Sequence, residues 1–88
     1  VKTIHKFTVG FGTNSIEMPA GAKLLHVGAQ GQSPYACCVW ALVNTSAPMV
    51  RRHLCVFGTG HEVDVEAAYV GTTQVGEFVW HVFDLGEA

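Results

Sequence analysis

The sequence predicts an all-β fold, a small antiparallel β-sandwich or partly open barrel of about six to seven strands. Three observations predict it. Turn-forming residues recur roughly every 8–12 residues. No stretch keeps apolar residues at a 3.6-residue period, so no amphipathic helix is indicated. Two segments, YACCVWALV (35–43) and GEFVWHVF (76–83), are apolar on both strand faces. A strand with one wet face alternates, so these two belong in the interior, with something packed on each side.

The elements follow in order. KTIHKFTV (2–9) is rich in β-formers, and GFGTN (10–14) interrupts it with two glycines. SIEM (15–18) alternates, with Ile16 and Met18 on one face, until Pro19 and Gly21 break it. KLLHVGA (23–29) aligns Leu25, Val27 and Ala29, and QGQSP (30–34) reads as a turn. After the strand at 35–43, NTSAPMV (44–50) is a loop and RRHLCVF (51–57) the next strand. GTG then turns the chain. VDVEAAYVG (63–71) is a weaker strand whose first six residues also fit a helical turn. In the last strand Phe78, Trp80 and Val82 share one face, with Val79 and Phe83 on the other, and LGEA (85–88) reads as a frayed tail.

At 88 residues the chain has room for one domain, 1–88. Such a chain buries roughly 60–65% of its unfolded surface. It is 49% hydrophobic and only 14% charged. Few charges are available to cover the outside, which predicts self-association or a partner over some apolar surface. A net charge of −2 does not describe a dedicated nucleic-acid binder. The charges are sorted along the chain: Lys2, Lys6, Lys23, Arg51 and Arg52 precede position 53 with Glu17 alone against them. Glu62, Asp64, Glu66, Glu77, Asp84 and Glu87 follow, with no Lys or Arg. That polarity can guide packing of one half, or one subunit, on another.

Three cysteines, two of them adjacent at Cys37 and Cys38, do not suit a disulfide framework and predict a reducing cytoplasm. No signal-peptide pattern is evident, and no apolar run reaches the ~18–20 residues that span a bilayer.

Gly58-Thr59-Gly60-His61 is the first candidate site. Amides of a glycine-rich turn can converge on an anion. Yet neither GxxxxGK[ST] nor GxGxxG is present, no helix follows, and Glu62, Asp64 and Glu66 would repel an anion. Gly-Thr recurs at 12–13, 58–59 and 71–72, and turn chemistry accounts for all three. Arg51 and Arg52 point to opposite strand faces. One can pair with the acidic C-terminal half, and the other can meet a partner's carboxylate or phosphate. Phe11 in a glycine-rich loop and Tyr35 after Pro34 are the aromatics expected outside the core, as partner contacts.

His53 and Cys55 share a face, and a hairpin of 35–43 with 51–57 would bring Cys37 near Cys55. No CxxC and no paired-histidine spacing accompanies them, so neither a metal nor any other cofactor is expected. The cysteines lie in apolar strands, where a thiolate is disfavoured. Ser15, Ser33 and Ser46 lack a nucleophile elbow. His5, His26 and His81 read as strand residues. No catalytic constellation emerges.

The segments KTIHKF (2–7), IEMPAGAKLLHV (16–27), WALV (40–43), RRHLCVFGTGH (51–61), AAYVGTTQ (67–74) and FVWHVF (78–83) occur in an order that resembles a family of short tailed-phage and prophage proteins of unknown function. The resemblance implies a phage or mobile-element accessory protein acting in bacterial host cytoplasm. It implies no catalytic residues. The expected function is non-enzymatic: an anti-defence or host-takeover factor that docks on a bacterial protein. The alternatives are an oligomeric sponge for a nucleotide-like small molecule, held by the GTGH turn and the arginines, or a minor virion component.

Overall fold

The computed structural model describes residues 1–31 and 33–88, so part of the expected turn at 30–34, namely Gln32, lies outside the described residues. Seven strands are present among them: β1 (Lys2–Gly10), β2 (Gly12–Pro19), β3 (Lys23–Gly28), β4 (Ala36–Asn44), β5 (Met49–Gly58), β6 (Ala68–Val75) and β7 (Phe78–Glu87). They form two antiparallel sheets, sheet A in the order β1-β4-β3 and sheet B in the order β2-β5-β7-β6. The sheets face each other without closing into a barrel, which is the sandwich alternative of the sequence prediction. No helix occurs among the described residues, and so none that could cross a membrane.

The two doubly apolar strands take interior positions. β4 is the middle of sheet A, and β7 lies between β5 and β6. Val9, Val27, Cys37 and Val39 from sheet A meet Leu54, Val56, Trp80 and Val82 from sheet B in the main core. A second cluster, Met18, Ala22, Ala41 and Val43, continues it toward the other end of the sandwich.

Several local expectations are corrected. β4 and β5 do not form a hairpin. β4 already has β1 and β3 on its two sides, and β5 has β2 and β7. The intervening turn therefore carries the chain from one sheet to the other. Asn44 shapes it, its Oδ1 accepting from Ser46 N at 3.0 Å and its carbonyl from Ala47 N at 3.0 Å. Met49 and Val50, expected in the loop, begin β5.

β2 starts at Gly12 rather than Ser15. The Asn14 amide closes the turn, accepting from Gly10 N at 3.0 Å and donating to the Gly10 and Gly12 carbonyls at 2.8 and 3.2 Å. In β3 a bulge between Leu24 and His26 shifts the alternation, so Leu24 and Val27 face inward and Leu25 is left exposed. The tail is not frayed. β7 runs on through a second irregularity to pair Gly86 with His53 and Glu87 with Arg52, and Ala88 N donates to Arg51 O at 2.9 Å.

Residues 63–66 join neither strand nor helix, and β6 begins at Ala68. Gly71, expected at a turn, is inside β6. A Cβ there would sit 2.9 Å from Val27 Cγ2 and 3.0 Å from Val27 Cβ. Gly71 thus lets the β6 edge of sheet B close against β3 of sheet A. Val27 is β-branched and cannot swing aside. Gly71→Ala should cost about 1–3 kcal/mol by overpacking this seam, read as a lower urea midpoint. Adding Val27→Ala should make the Gly71→Ala change cheaper than it is alone, because the clashing Cγ2 is gone.

Candidate functional site: an aromatic pole

At one end of the sandwich four connections gather: the β1–β2 turn with Phe11, the segment before β4 with Tyr35, the turn after β5, and the β6–β7 turn. Pairing fixes this arrangement, since Gly10 opposes Ala36, Gly12 opposes Val56, Gly58 opposes Trp80 and Val75 opposes Phe78. Phe11 N also donates to Tyr35 O at 3.1 Å.

Trp80 is the floor of this pole. It is 4% exposed, and its indole N–H donates to Pro34 O at 2.8 Å. Phe78 stacks on it with centroids 5.3 Å apart and planes 11° from parallel. Phe11 lies 5.4 Å from the same ring and His61 lies 5.2 Å from Phe11. Tyr35 meets Phe78 at 5.6 Å. The rim stays open to solvent, with Phe11 53%, Tyr35 61% and Phe78 40% exposed. A cleft of about 230 Å³ opens between Gly58, Thr59, His61, Glu77, Phe78 and Trp80.

The GTGH segment is a turn. His61 N donates to Gly58 O at 3.1 Å, and Gly60 has φ +90°, as the third position of a type II turn requires. Gly58 N donates to His61 Nδ1 at 3.0 Å. Two of the amides that might have faced an anion are therefore used inside the turn. A Cβ at Gly58 would lie 2.8 Å from His61 Cε1 and 3.2 Å from Trp80 Cζ3, so the His61 ring would have to shift.

The structure brings Phe11, Tyr35, Gly58, Thr59, Gly60 and His61 together at this pole. It does not bring Arg51 or Arg52 there. They lie near the start of β5 while Gly58 ends it, about 20 Å away at strand rise. The two arginines do point to opposite faces. Arg51 reaches Glu17 at 3.5 Å in an exposed pair and lies 3.5 Å from Ser15 Oγ. Arg52 turns inward. Its Nε and Nη2 bind both Asp84 carboxylate oxygens at 2.9 and 2.6 Å, and its Nη1 donates to Ala22 O at 3.0 Å. It pairs with the acidic C-terminal half, one of the two fates expected for these residues.

Sequence reasoning missed Trp80 and Phe78 as the members that join the exposed aromatics, because both read as core. It also missed a polar chain on the outer face of sheet B. Thr59 Oγ1 lies 2.8 Å from His81 Nε2, Thr72 Oγ1 3.0 Å from His81 Nδ1, and Tyr69 OH 2.6 Å from Thr72 Oγ1. Thr72 and His81 are cross-strand partners, but that pairing becomes visible only once register is known. A hydroxyl on an imidazole is the beginning of a nucleophile–base pair. Here both ring nitrogens of His81 face threonine hydroxyls, and among the described residues no carboxylate orients the ring. The chain acts as a brace across β5, β7 and β6.

The three cysteines are free and buried. Cys37 faces the main core. Burial, with Cys38 beside it, pushes its thiol up to about 11, far from a reactive thiolate at neutral pH. Cys38, on the opposite face, is covered and donates to Gln30 O at 3.3 Å. Cys55 lies beside Thr13 Oγ1 at 3.5 Å. Among the described residues no three His, Cys, Asp or Glu side chains gather as metal ligands would.

A domain of unknown function, DUF7352, matches residues 1–88 from end to end. The chain belongs to this DUF7352 family. No curated protein and no solved structure shows significant similarity to the chain. The membership agrees with the resemblance to a family without assigned function, and it carries no statement about biological source.

Proposed function

We propose that this chain is a non-enzymatic docking protein that engages its partner protein through the aromatic pole. The observation that carries this reading is the exposed rim of Phe11, Tyr35 and Phe78 on a rigid Trp80 floor. Exposed aromatics held by a packed scaffold supply large contact area with little side-chain entropy to lose, and such residues dominate interface energetics. The cleft between Phe78, His61 and Glu77 is smaller than the ~300–1,000 Å³ usual for a small-molecule site. It suits one inserted side chain. An arginine from the partner would stack on Phe78 and pair with Glu77.

In biological terms the proposal is a phage or mobile-element factor that occupies the surface of a bacterial protein in the host cytoplasm. The order of segments that resembles short phage and prophage proteins supports that setting. Affinity purification from a bacterial lysate, followed by direct titration against the captured protein, tests it. Phe11→Ala with Tyr35→Ala should weaken the complex by tenfold or more while the urea midpoint stays near wild type. A complex that survives the double substitution unchanged would remove the pole as its contact surface.

A further inference from the structure

The charge separation along the chain becomes a separation between sheets. β1, β3 and β4 carry Lys2, Lys6 and Lys23 and no Asp or Glu. All seven acids and both arginines lie on sheet B or its connections. Register then places the lysines on one surface. Across sheet A, Lys23, Leu42 and Ile4 form one row, and His26, Trp40 and Lys6 the next, with Lys2 beside Asn44 beyond Leu42. The opposite surface of β4 is the core, so these rows face outward.

Trp40 is half-buried at the middle of that surface. Its ring rests against Gly28, where a Cβ would come within 3.0 Å, and beside the His26 ring at 5.7 Å. Ile4 is 57% exposed, and Lys6 Nζ donates to the Gln30 side chain. The face therefore presents one aromatic platform with cations on either side and no carboxylate.

We propose that the outer face of sheet A binds nucleotides, a base stacking on Trp40 and phosphates meeting Lys6 and Lys23, and that single-stranded nucleic acid supplies them. Charge complementarity selects the occupant. A second copy of the same face would set lysine against lysine. A protein interface core is usually depleted in lysine, whereas lysine serves phosphate as a point charge. A free small molecule needs a concave site; the cleft at the aromatic pole lies away from this face, and the cleft around Arg52 and Asp84 takes in Lys23 at its edge but neither Trp40 nor Lys6. An open sheet with a stacking residue and a basic margin is how single strands are held. The inference stands apart from the aromatic pole.

The test is fluorescence anisotropy of a labelled thymidine oligonucleotide of about 12 nucleotides, in low salt. Three lysines predict a log–log salt slope near −2, about 20-fold weaker binding between ~50 and ~200 mM salt. Trp40→Leu should weaken binding about tenfold by removing the stacked platform. Lys6→Glu, at an exposed position that leaves the fold intact, should weaken it further than Lys6→Ala and flatten the salt slope. Phe11→Ala with Tyr35→Ala should leave it unchanged. The proposal is overturned by absence of binding in low salt, or by binding indifferent to both Trp40→Leu and Lys6→Glu. It is equally overturned if poly-glutamate or thymidine monophosphate competes as well as the oligonucleotide, or if sedimentation shows the face buried by another copy.

Discussion

Asp84→Ala should destabilise the fold by about 3 kcal/mol, a large share of the stability of a domain this size. The Arg52 and Asp84 side chains are 12% and 16% exposed, so they form a largely buried ion pair. Removing the carboxylate leaves the guanidinium with only Ala22 O as a protein acceptor among the three bonds it makes. It also leaves Gly86 N, which donates to Asp84 Oδ1 at 2.8 Å, without its acceptor at the irregular end of β7. Arg52→Ala should cost a comparable amount for the converse reason. The double change Arg52→Met with Asp84→Leu should cost much less than the sum, because it leaves no unpaired buried charge. Urea unfolding of wild type, Arg52→Met, Asp84→Leu and the double change gives the coupling directly. An additive result would mean the pair is solvated and contributes little.

The same pair fixes the acid response. Its hydrogen bonds to Arg52, with that of Gly86, hold the Asp84 carboxyl below its ordinary value despite burial. A carboxyl lowered in the folded state binds protons less readily than in the unfolded chain. Its contribution to stability is therefore complete above the unfolded carboxyl's pKa, near ~4, and is lost as pH falls through the lower folded value. Asp84→Asn should be less stable than wild type at neutral pH, with the difference shrinking below about pH 4.

Strand content was legible because the chain punctuates itself with glycine and proline and alternates where one face is wet. Pairing was not. Nothing local distinguishes a 44–50 loop that makes a hairpin from one that changes sheets, since the decision rests on β1 and β3 claiming both sides of β4. The β3 bulge broke the alternation of Leu25, Val27 and Ala29, keeping Val27 inside and turning Leu25 out. Gly71 read as a turn because a glycine required by close approach looks the same in sequence as one required by positive φ. At the candidate site, exposure of Phe11 and Tyr35 was legible from their loops, and Trp80 as their common floor was not. The basic face was hidden by averaging: a net charge of −2 describes the chain, while sheet A holds three lysines and no acid.

Trp80→Ala should be the most damaging single substitution at the pole, at about 3–5 kcal/mol. Trp80 belongs to the main core with Leu54, Val56 and Val82, and it also underlies Phe11 and Phe78. Its removal opens a void that the strands on both sides cannot fill by closing, because β5 and β6 hold β7 at fixed register. Trp80→Phe separates the two roles. It keeps most of the apolar volume but leaves Pro34 O without the indole N–H, at a cost nearer ~1–2 kcal/mol. That bond ties the segment before β4 to the floor, so Trp80→Phe should loosen Tyr35 while leaving Phe11 in place. Hydrogen exchange should then report faster opening at Phe11 N, whose acceptor is Tyr35 O, with the β5 and β7 amides still protected. If the complex with the partner protein weakens in Trp80→Phe as it does in Tyr35→Ala, rigidity of the rim, as well as its aromatic area, carries the docking.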